Sequence, residues 1–499
     1  MKRILSGAIF GRKRTALPAL ILSLLMVLML SMQTQAQSGL VKLSTDKFKN
    51  SDSQHRSEVE PDTFSWGSTI VSGFQVARVF GGGGADVGFA TSTDGGKTWT
   101  SGYLPGLTDN YKGGTFTAAS DAAVAYDAKH GVWMISTLPL VDDAGEAVAT
   151  SISSDGLTWG KPVIVDNSGS DDKNWITCDN TSSSPHYGNC YTEWDEPALG
   201  DLVFMSTSSD GGKTWSAGVN SQDSVAGLGG QPLVQPNGTV VVPLSTLGTM
   251  VAFNSTNGGK SWSSSTTIAT QNYRGEDGGL RDGFGMPTAQ IDGSGEIYVV
   301  WPDCSFRSGC STDDLVMSRS TNGATWSKIA RIPIDPIKST VDHFIPGMGI
   351  DRTTSGNTAH ITVTYYYYPV ASCNDACKLY VGFTTTTNGG KTWTKGKELA
   401  GPMQLSWLPN SQNGLMVADY LAVAYANGNP YGVFAVAQAP SGGKLNEAMY
   451  TTKAPLLPTP GEPRFSSKHE KPIPNAKGRY VWKYYDDDGE YPIPPSKSR

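Results

Sequence analysis

The sequence predicts an all-β protein, a propeller of four-stranded blades with seven blades favoured and six possible. Three observations predict it. A short motif, "STDGGKTW" at residues 92–99, returns as "SSDGLTW", "SSDGGKTW", "STNGGKSW", "STNGATW" and "TTNGGKTW", centred on Asp94, Asp155, Asp210, Asn257, Asn322 and Asn388. That spacing is the size of one supersecondary unit, repeated along the chain. Each copy follows a β-type run such as "DLVFMSTS" or "LYVGFTT". In most units two more such runs lie upstream, split by a turn, as in "QPLVQPNGTVVVPLS" and "MPTAQIDGSGEIYVVW".

Taken in order, residues 1–36 have a basic start, an apolar run from Ala16 to Met32, and Thr34 and Ala36 placed like the small residues of a cleavage site. We read them as a secretory signal, the run being short for an uncleaved anchor. Residues 37–59 lead in, and the repeats fill 60–453. A seventh unit, "MVADYLAVAYANGNPYGVFAVAQ" with "LNEAMYTT", has the upstream runs but no motif. Pairing by the segment "GLVKLST" would complete it and leave no long exposed edge. From 454 to 499 the composition turns to Pro, Lys, Glu and Asp, which reads as a loosely packed, charged tail.

Composition narrows the partners. The formal charge is −6, and five of the 39 Lys and Arg lie in residues 1–36, so the exported part is more acidic still. No basic patch or basic amphipathic helix is visible, which argues against nucleic acid and against a membrane surface. The expected partner is a glycan or glycoprotein, met by a secreted, periplasmic or cell-surface monomer. Six cysteines fall as three close pairs, Cys178/Cys190, Cys304/Cys310 and Cys373/Cys377. Local disulfides are the natural reading in an exported chain, and zinc the weaker one, since no His stands at ligand spacing.

The repeated motif is structural by its chemistry. Three copies carry Asp and three Asn, which keeps an acceptor oxygen but discards the titratable proton. Catalysis needs carboxyls converging on one bond, not spread around a ring. The Asp or Asn suits a turn with Gly at positive φ, and the Trp offers a large face for packing on its own or a neighbouring sheet.

In letters and spacing the motif resembles the Asp-box, or BNR, repeat of the sialidase superfamily, over roughly Glu60 to Lys453. The resemblance implies a propeller with Asp-box hairpins on the outer rim, and an exo-α-sialidase type of glycoside hydrolase acting on terminal acidic sugars. A non-catalytic propeller that binds glycan or protein is the alternative, and an enzyme for another acidic polysaccharide a third. The family implies three Arg clamping the sugar carboxylate, a Tyr nucleophile polarised by a Glu, and an Asp acid/base. Its Arg-Ile-Pro motif belongs near the first blade, whereas here "ARIPID" places Arg331 after the fifth box and Arg78 in "FQVARVF" lacks the Ile-Pro.

Candidate site residues come from the polar entries to the innermost strands: Glu60, Asp121, Lys173, Gln231, Arg281, Asp282, Asp342, His343, Asp419 and Tyr420. We assign Asp121 as acid/base and Tyr420, beside Asp419, as nucleophile. Arg281, Arg274 and Arg307 are the expected clamps, with Lys173, His343 and Glu60 also on substrate. Tyr191 near Glu193, and Glu193 and Glu196 beside Trp194, are further candidates, while Tyr365 to Tyr368 read as a strand. No cofactor is required. A structural calcium on the axis would draw on Asp121, Asp282, Asp342 and Asp419.

Overall fold

A computed structural model describes residues 39–478 apart from Asp282, His469 and Asn475. The segment expected to be a signal, the last part of the tail and Asp282 therefore lie outside the described residues. Of two compact units, Met1–Leu40 and Val41–Arg499, the first contributes only Gly39 and Leu40 to the description, and the propeller belongs to the second.

The chain is an all-β propeller of successive antiparallel meanders. The first runs through Glu58–Trp66, Thr69–Arg78, Gly84–Ser92 and Thr100–Tyr103, and the second through Ala118–Asp127, Val132–Val141, Val148–Ser153 and Val163–Asp166. Later meanders begin at Asp172–Cys178, Leu233–Val234, Thr288–Ile291, Asp342–Ile350 and Ala422–Ala426. These first strands pack on one another in sequence, and the Ala422–Ala426 strand returns to pack on Glu58–Trp66. Their residues are almost wholly buried, because each strand has a neighbour on both faces.

Five sheets of three or four strands stand as separate blades, against the seven or six expected. The difference lies in the first two meanders, which form one nine-stranded sheet joined by the single pair Gly84 and Ala119. Glycine makes that junction possible. A Cβ on Gly83 would lie 2.8 Å from the Ala119 carbonyl oxygen, and one on Gly84 would lie 2.6 Å from that of Val76.

The last meander is completed from the other end of the chain. The strand Leu40–Lys42 heads its sheet, and past it Leu43 N–H donates to Met449 O at 2.8 Å. Met449 N–H donates to Ser44 Oγ at 2.8 Å, and Ser44 Oγ–H to Glu58 Oε2 at 2.7 Å, so the seam is bonded to the first meander as well.

Each repeated motif is the turn after the third strand of its meander. In the Asp210 copy, Ser208 Oγ–H donates to Asp210 Oδ1 at 2.9 Å while Lys213 and Thr214 N–H both donate to that oxygen at 3.0 Å. Thr214 Oγ–H donates to Oδ2 at 2.7 Å. In the Asn257 and Asn388 copies the side-chain amide instead donates to the Ser261 or Thr392 hydroxyl, at 2.8 Å in both. A hydroxyl both donates and accepts, which is why the two residue types interchange. The Trp that follows packs against the preceding meander: Trp99 on Ala424, Ala426 and Tyr431, Trp215 in a cluster with Met134 and Ile152, Trp393 in one with Tyr298 and Met317.

The three cysteine pairs are disulfides, as their spacing led us to expect, and none of the six thiols is left for zinc. Cys178 and Cys190 face each other across adjacent strands. Cys304–Cys310 and Cys373–Cys377 instead close short loops, six and four residues apart in sequence. Cys310 ends its loop at φ 52°, and both Cys310 and Cys377 are buried. The tail is not loose as far as Gly478: Arg464–Phe465 pairs with Trp393–Thr394, Glu462 meets Lys397 at 2.7 Å, and Ile473 N–H donates to Ser305 O at 2.6 Å. Among the described residues no helix is long and apolar enough to cross a membrane.

Candidate active site

Three of the innermost strands break register near their starts, between Val59 and Asp62, between Ser120 and Ala123, and between Asp172 and Trp175. At each bulge one residue that is not glycine adopts the left-handed region: Glu60 at φ 54°, Asp121 at 45° and Lys173 at 50°. That conformation costs on the order of 1–3 kcal/mol per residue and recurs where side chains must be re-aimed. All three side chains are aimed at one cavity of about 180 Å³, also lined by Arg78, Asp172, Arg281 and Phe284. The loops Gly81–Gly83, Ala144–Glu146 and Gln412–Asn413 line it too, and Leu138, Leu140 and Leu228 give it an apolar part.

The charges form one network. Lys173 Nζ lies 2.6 Å from Asp419 Oδ2, 3.7 Å from Asp121 Oδ1 and 3.9 Å from Glu60 Oε1. Arg281 forks onto Asp419, Nε donating to Oδ1 at 2.8 Å and Nη2 to Oδ2, and its guanidinium lies 5.6 Å from the Phe284 ring centre. Arg78 Nη1 donates to Gln75 Oε1 at 3.0 Å and Gly83 O at 3.1 Å, and Gln75 Nε2 donates to Glu60 Oε2 and, at 2.7 Å, to Ser120 Oγ. Tyr420 Oη–H donates to Asp121 Oδ1 at 3.3 Å.

Burial sets the protonation of this network. Burial, then Asp419, push the Glu60 carboxyl well above the ordinary range, and Lys173 pulls it only partly back. Burial pushes Asp172 up to about 6, with Lys173 opposing. Asp419 goes the other way: burial would raise it, but Arg281 and Lys173 prevail and hold it far below the carboxylate range. Burial would likewise lower Lys173, and Asp121, Asp419 and Glu60 more than reverse that. The Tyr420 phenol is held neutral by burial and by Asp121. The cavity thus sets a proton-bearing carboxyl, Glu60, near a second acid, Asp121, with three cationic side chains close by.

No family model and no curated relative matches this chain. Solved structures to which it is similar include a Hadza microbial sialidase, 15% identical over 62% of this chain and 64% of that one, with a TM-score of 0.42. The NanB sialidase of Streptococcus pneumoniae is 14% identical over 82% of this chain and 70% of its own, TM-score 0.39. A Trypanosoma rangeli sialidase is 12% identical over 83% of this chain and 58% of its own, TM-score 0.43. This chain therefore spans less than two thirds of the first and last of these.

Of the residues expected from sequence, Glu60, Asp121, Lys173, Arg281, Asp419 and Tyr420 come together. Asp419 turns to Arg281 and Lys173, however, and the partner of the Tyr420 hydroxyl is Asp121. Tyr420 itself does not line the cavity; its ring is buried edge-on against Trp175, centroids 5.2 Å apart.

Arg274, Arg307 and His343 lie elsewhere, because other partners hold them. Arg274 pairs with Asp342 at 3.1 Å and Asp277 at 3.2 Å. Arg307 is fully buried on Asp314 and Asp335 and donates to the carbonyls of Ile337 and Ser339. His343 packs edge-on to Tyr365 at 5.3 Å and is held neutral by burial. The three-arginine clamp is thus not assembled around this cavity.

Further expectations are redirected in the same way. Gln231 accepts from Ala289 N–H at 2.7 Å, tying neighbouring meanders. Trp194 is buried and stacked on Phe204 rather than offered to a sugar, and Tyr191 sits edge-on to Trp262 in the core. Of the acids expected to hold an axial calcium, Asp419 meets Arg281 and Asp342 meets Arg274, while Asp282 lies outside the described residues. Asp172, Gln75 and Phe284 were not expected. Only Gln75 left a signal in the sequence, as a polar residue inside the otherwise apolar strand run "TIVSGFQVAR".

Proposed function

We propose that this chain is an exported glycoside hydrolase of the sialidase type, removing terminal acidic sugars from glycoconjugates. The observation that carries the proposal is the convergence of the three left-handed bulge residues, Glu60, Asp121 and Lys173, on one cavity with Arg78 and Arg281. Strain of that kind persists where the surrounding structure over-determines it, and it clusters at working sites. Glu60, raised by burial, is the proton donor to the glycosidic oxygen. Asp121, which lines the cavity, is the second carboxyl. It receives the proton of the attacking water, and Tyr420 holds it in place through the 3.3 Å hydrogen bond. Arg78, Arg281 and Lys173 supply the positive field for an anionic sugar.

The same reading counts the nine-stranded sheet as two blades, seven in all. The sequence of seven first strands, the last packed on the first, supports that count, and exposed Asp-box turns on the rim fit it.

Residues 37–499 assayed on fluorogenic sialosides and uronosides test the function. Release by the parent, with losses of about 10² to 10⁴ for Glu60→Gln and Asp121→Asn, is expected. Tyr420→Phe retaining part of the rate supports its positioning role, and a complete loss with intact folding would make it the nucleophile instead.

A propeller that binds glycan without turnover is a second reading, favoured by one observation: Arg281 and Lys173 are already neutralised by Asp419. Glycan retention with no product over long incubation would select it.

A further inference from the structure

At the edge of the same cavity lie three carboxyls that hydrolysis does not use. Asp166 ends the strand Val163–Asp166, Glu196 ends Cys190–Glu196, and Asp171 stands in the connection just before Asp172–Cys178. One oxygen from each lies within 4.8 Å of the other two. Asp171 is only 2% exposed and neither of its oxygens is in a well-formed hydrogen bond, the neighbouring Ser168 hydroxyl being bonded to Asp166 and Glu196 instead. Buried carboxyl oxygens in native proteins almost always have partners, so this side chain, aimed at two further acids, points to a bound cation. Among the described residues no Lys, Arg or His forms an ion pair with any of the three.

We propose that Asp166, Asp171 and Glu196 bind one divalent cation, and that the cation is calcium. The donor set is all oxygen, which selects hard ions over zinc or copper. Three carboxylates on separate strands and a connection suit calcium, which takes six to eight oxygens in flexible geometry, better than magnesium, which demands a near-ideal octahedron and keeps most of its water. Ser168 adds a neutral oxygen: its hydroxyl already spans the pair, 2.6 Å from Asp166 Oδ2 and 3.1 Å from Glu196 Oε1. Water completes the shell, as is usual for calcium.

The position gives the ion a purpose. Ser170, Asp171, Pro197 and Ala198 all line the cavity, and the chain runs from Asp171 directly into Asp172 and the bulged Lys173. Ser170 at φ 69° and Lys173 at φ 50° bracket the segment, so an ion tied to Asp171 and to two neighbouring strands holds a strained stretch in register. The calcium expected from sequence was axial and drew on other acids, so the two sites are separable by substitution.

The test is calorimetric titration of CaCl2 into chelator-stripped residues 37–499 at pH 8, with melting curves alongside. One saturable site is expected, with magnesium at least tenfold weaker and a melting temperature raised by several degrees in 1 mM calcium. Asp171→Asn and Asp166→Asn should each weaken binding more than tenfold, and Asp342→Asn should leave it unchanged. Asp166 is partly exposed, so its variant carries the test if Asp171→Asn does not fold. No saturable binding up to 10 mM, or binding that survives both Asp166→Asn and Asp171→Asn, overturns the proposal.

Discussion

Lys173 stands at a bulge with positive φ and within 4.0 Å of three buried carboxyl groups, so its ammonium carries the charge balance of the site. Replacing it with Met keeps the length and removes the charge. Asp419 then keeps only Arg281, and Asp121 loses the cation it faces. Breaking a buried ion pair on one side typically costs about 3–5 kcal/mol, and urea unfolding of Lys173→Met should read a loss of that order. Glu60 gives a prediction of rate rather than stability. Its folded value is raised, so the proton-bearing form persists above the ordinary carboxylate range and activity is lost as pH rises through that folded value. In Glu60→Gln no proton is there to lose. The basic limb of the kcat/KM profile should disappear along with a drop of about 10² to 10⁴ in rate; a limb that survives unchanged would assign the proton to another group.

The six turns show how an element was legible before its structure was seen, and where legibility stopped. Asp–Gly and Asn–Gly letters at a blade-sized spacing announce turns, and the turns are there with the hydrogen bonds that make Asp and Asn equivalent. Which sheet receives the Trp was left open by the sequence, since packing across a sheet interface leaves no local pattern; the preceding meander receives it. The bulges were not legible either. "VEPDT", "SDAAV" and "DDKNW" read as polar strand entries, and a one-residue slip that turns Glu60, Asp121 and Lys173 into one cavity has no signature in composition. The misplaced arginines have the same cause: Arg274 and Arg307 lie in loops whose acidic partners are distant or unremarkable in sequence. At this scale the prediction concerns the turn itself. Asp210→Ala removes an acceptor of four local hydrogen bonds and should cost about 1–2 kcal/mol, whereas Asp210→Asn keeps most of them and should cost less than half as much. Equal losses would mean that charge, not turn geometry, matters there.

Across the whole molecule the propeller buries more acid than it pairs. Burial pushes Glu58, Asp62, Asp171 and Asp342 each up to about 7, and it raises Glu447, beside Glu58 at the closing seam, well above the ordinary carboxylate range. A carboxyl whose folded value exceeds its unfolded one binds its proton more tightly in the folded chain. Its contribution is fully present below the unfolded value near 4 and is lost as pH rises through about 7. Asp419 has the opposite sign, its contribution being present above the ordinary carboxylate value and lost as pH falls below it. The two trends meet between them, so the melting temperature should peak in mildly acidic buffer, near pH 5 to 6, and decline by several degrees toward pH 8. The measurement belongs in chelator, so that Asp171 titrates as a free carboxyl. Glu58→Gln should flatten part of the alkaline decline, because a neutral amide at the seam still accepts from Ser44, 2.7 Å away, without acquiring a charge. A melting temperature that instead rises steadily from pH 5 to 8 would show that these carboxyls are ionised and paired in the folded chain, and the seam between the last meander and the first would then need a cation to close it.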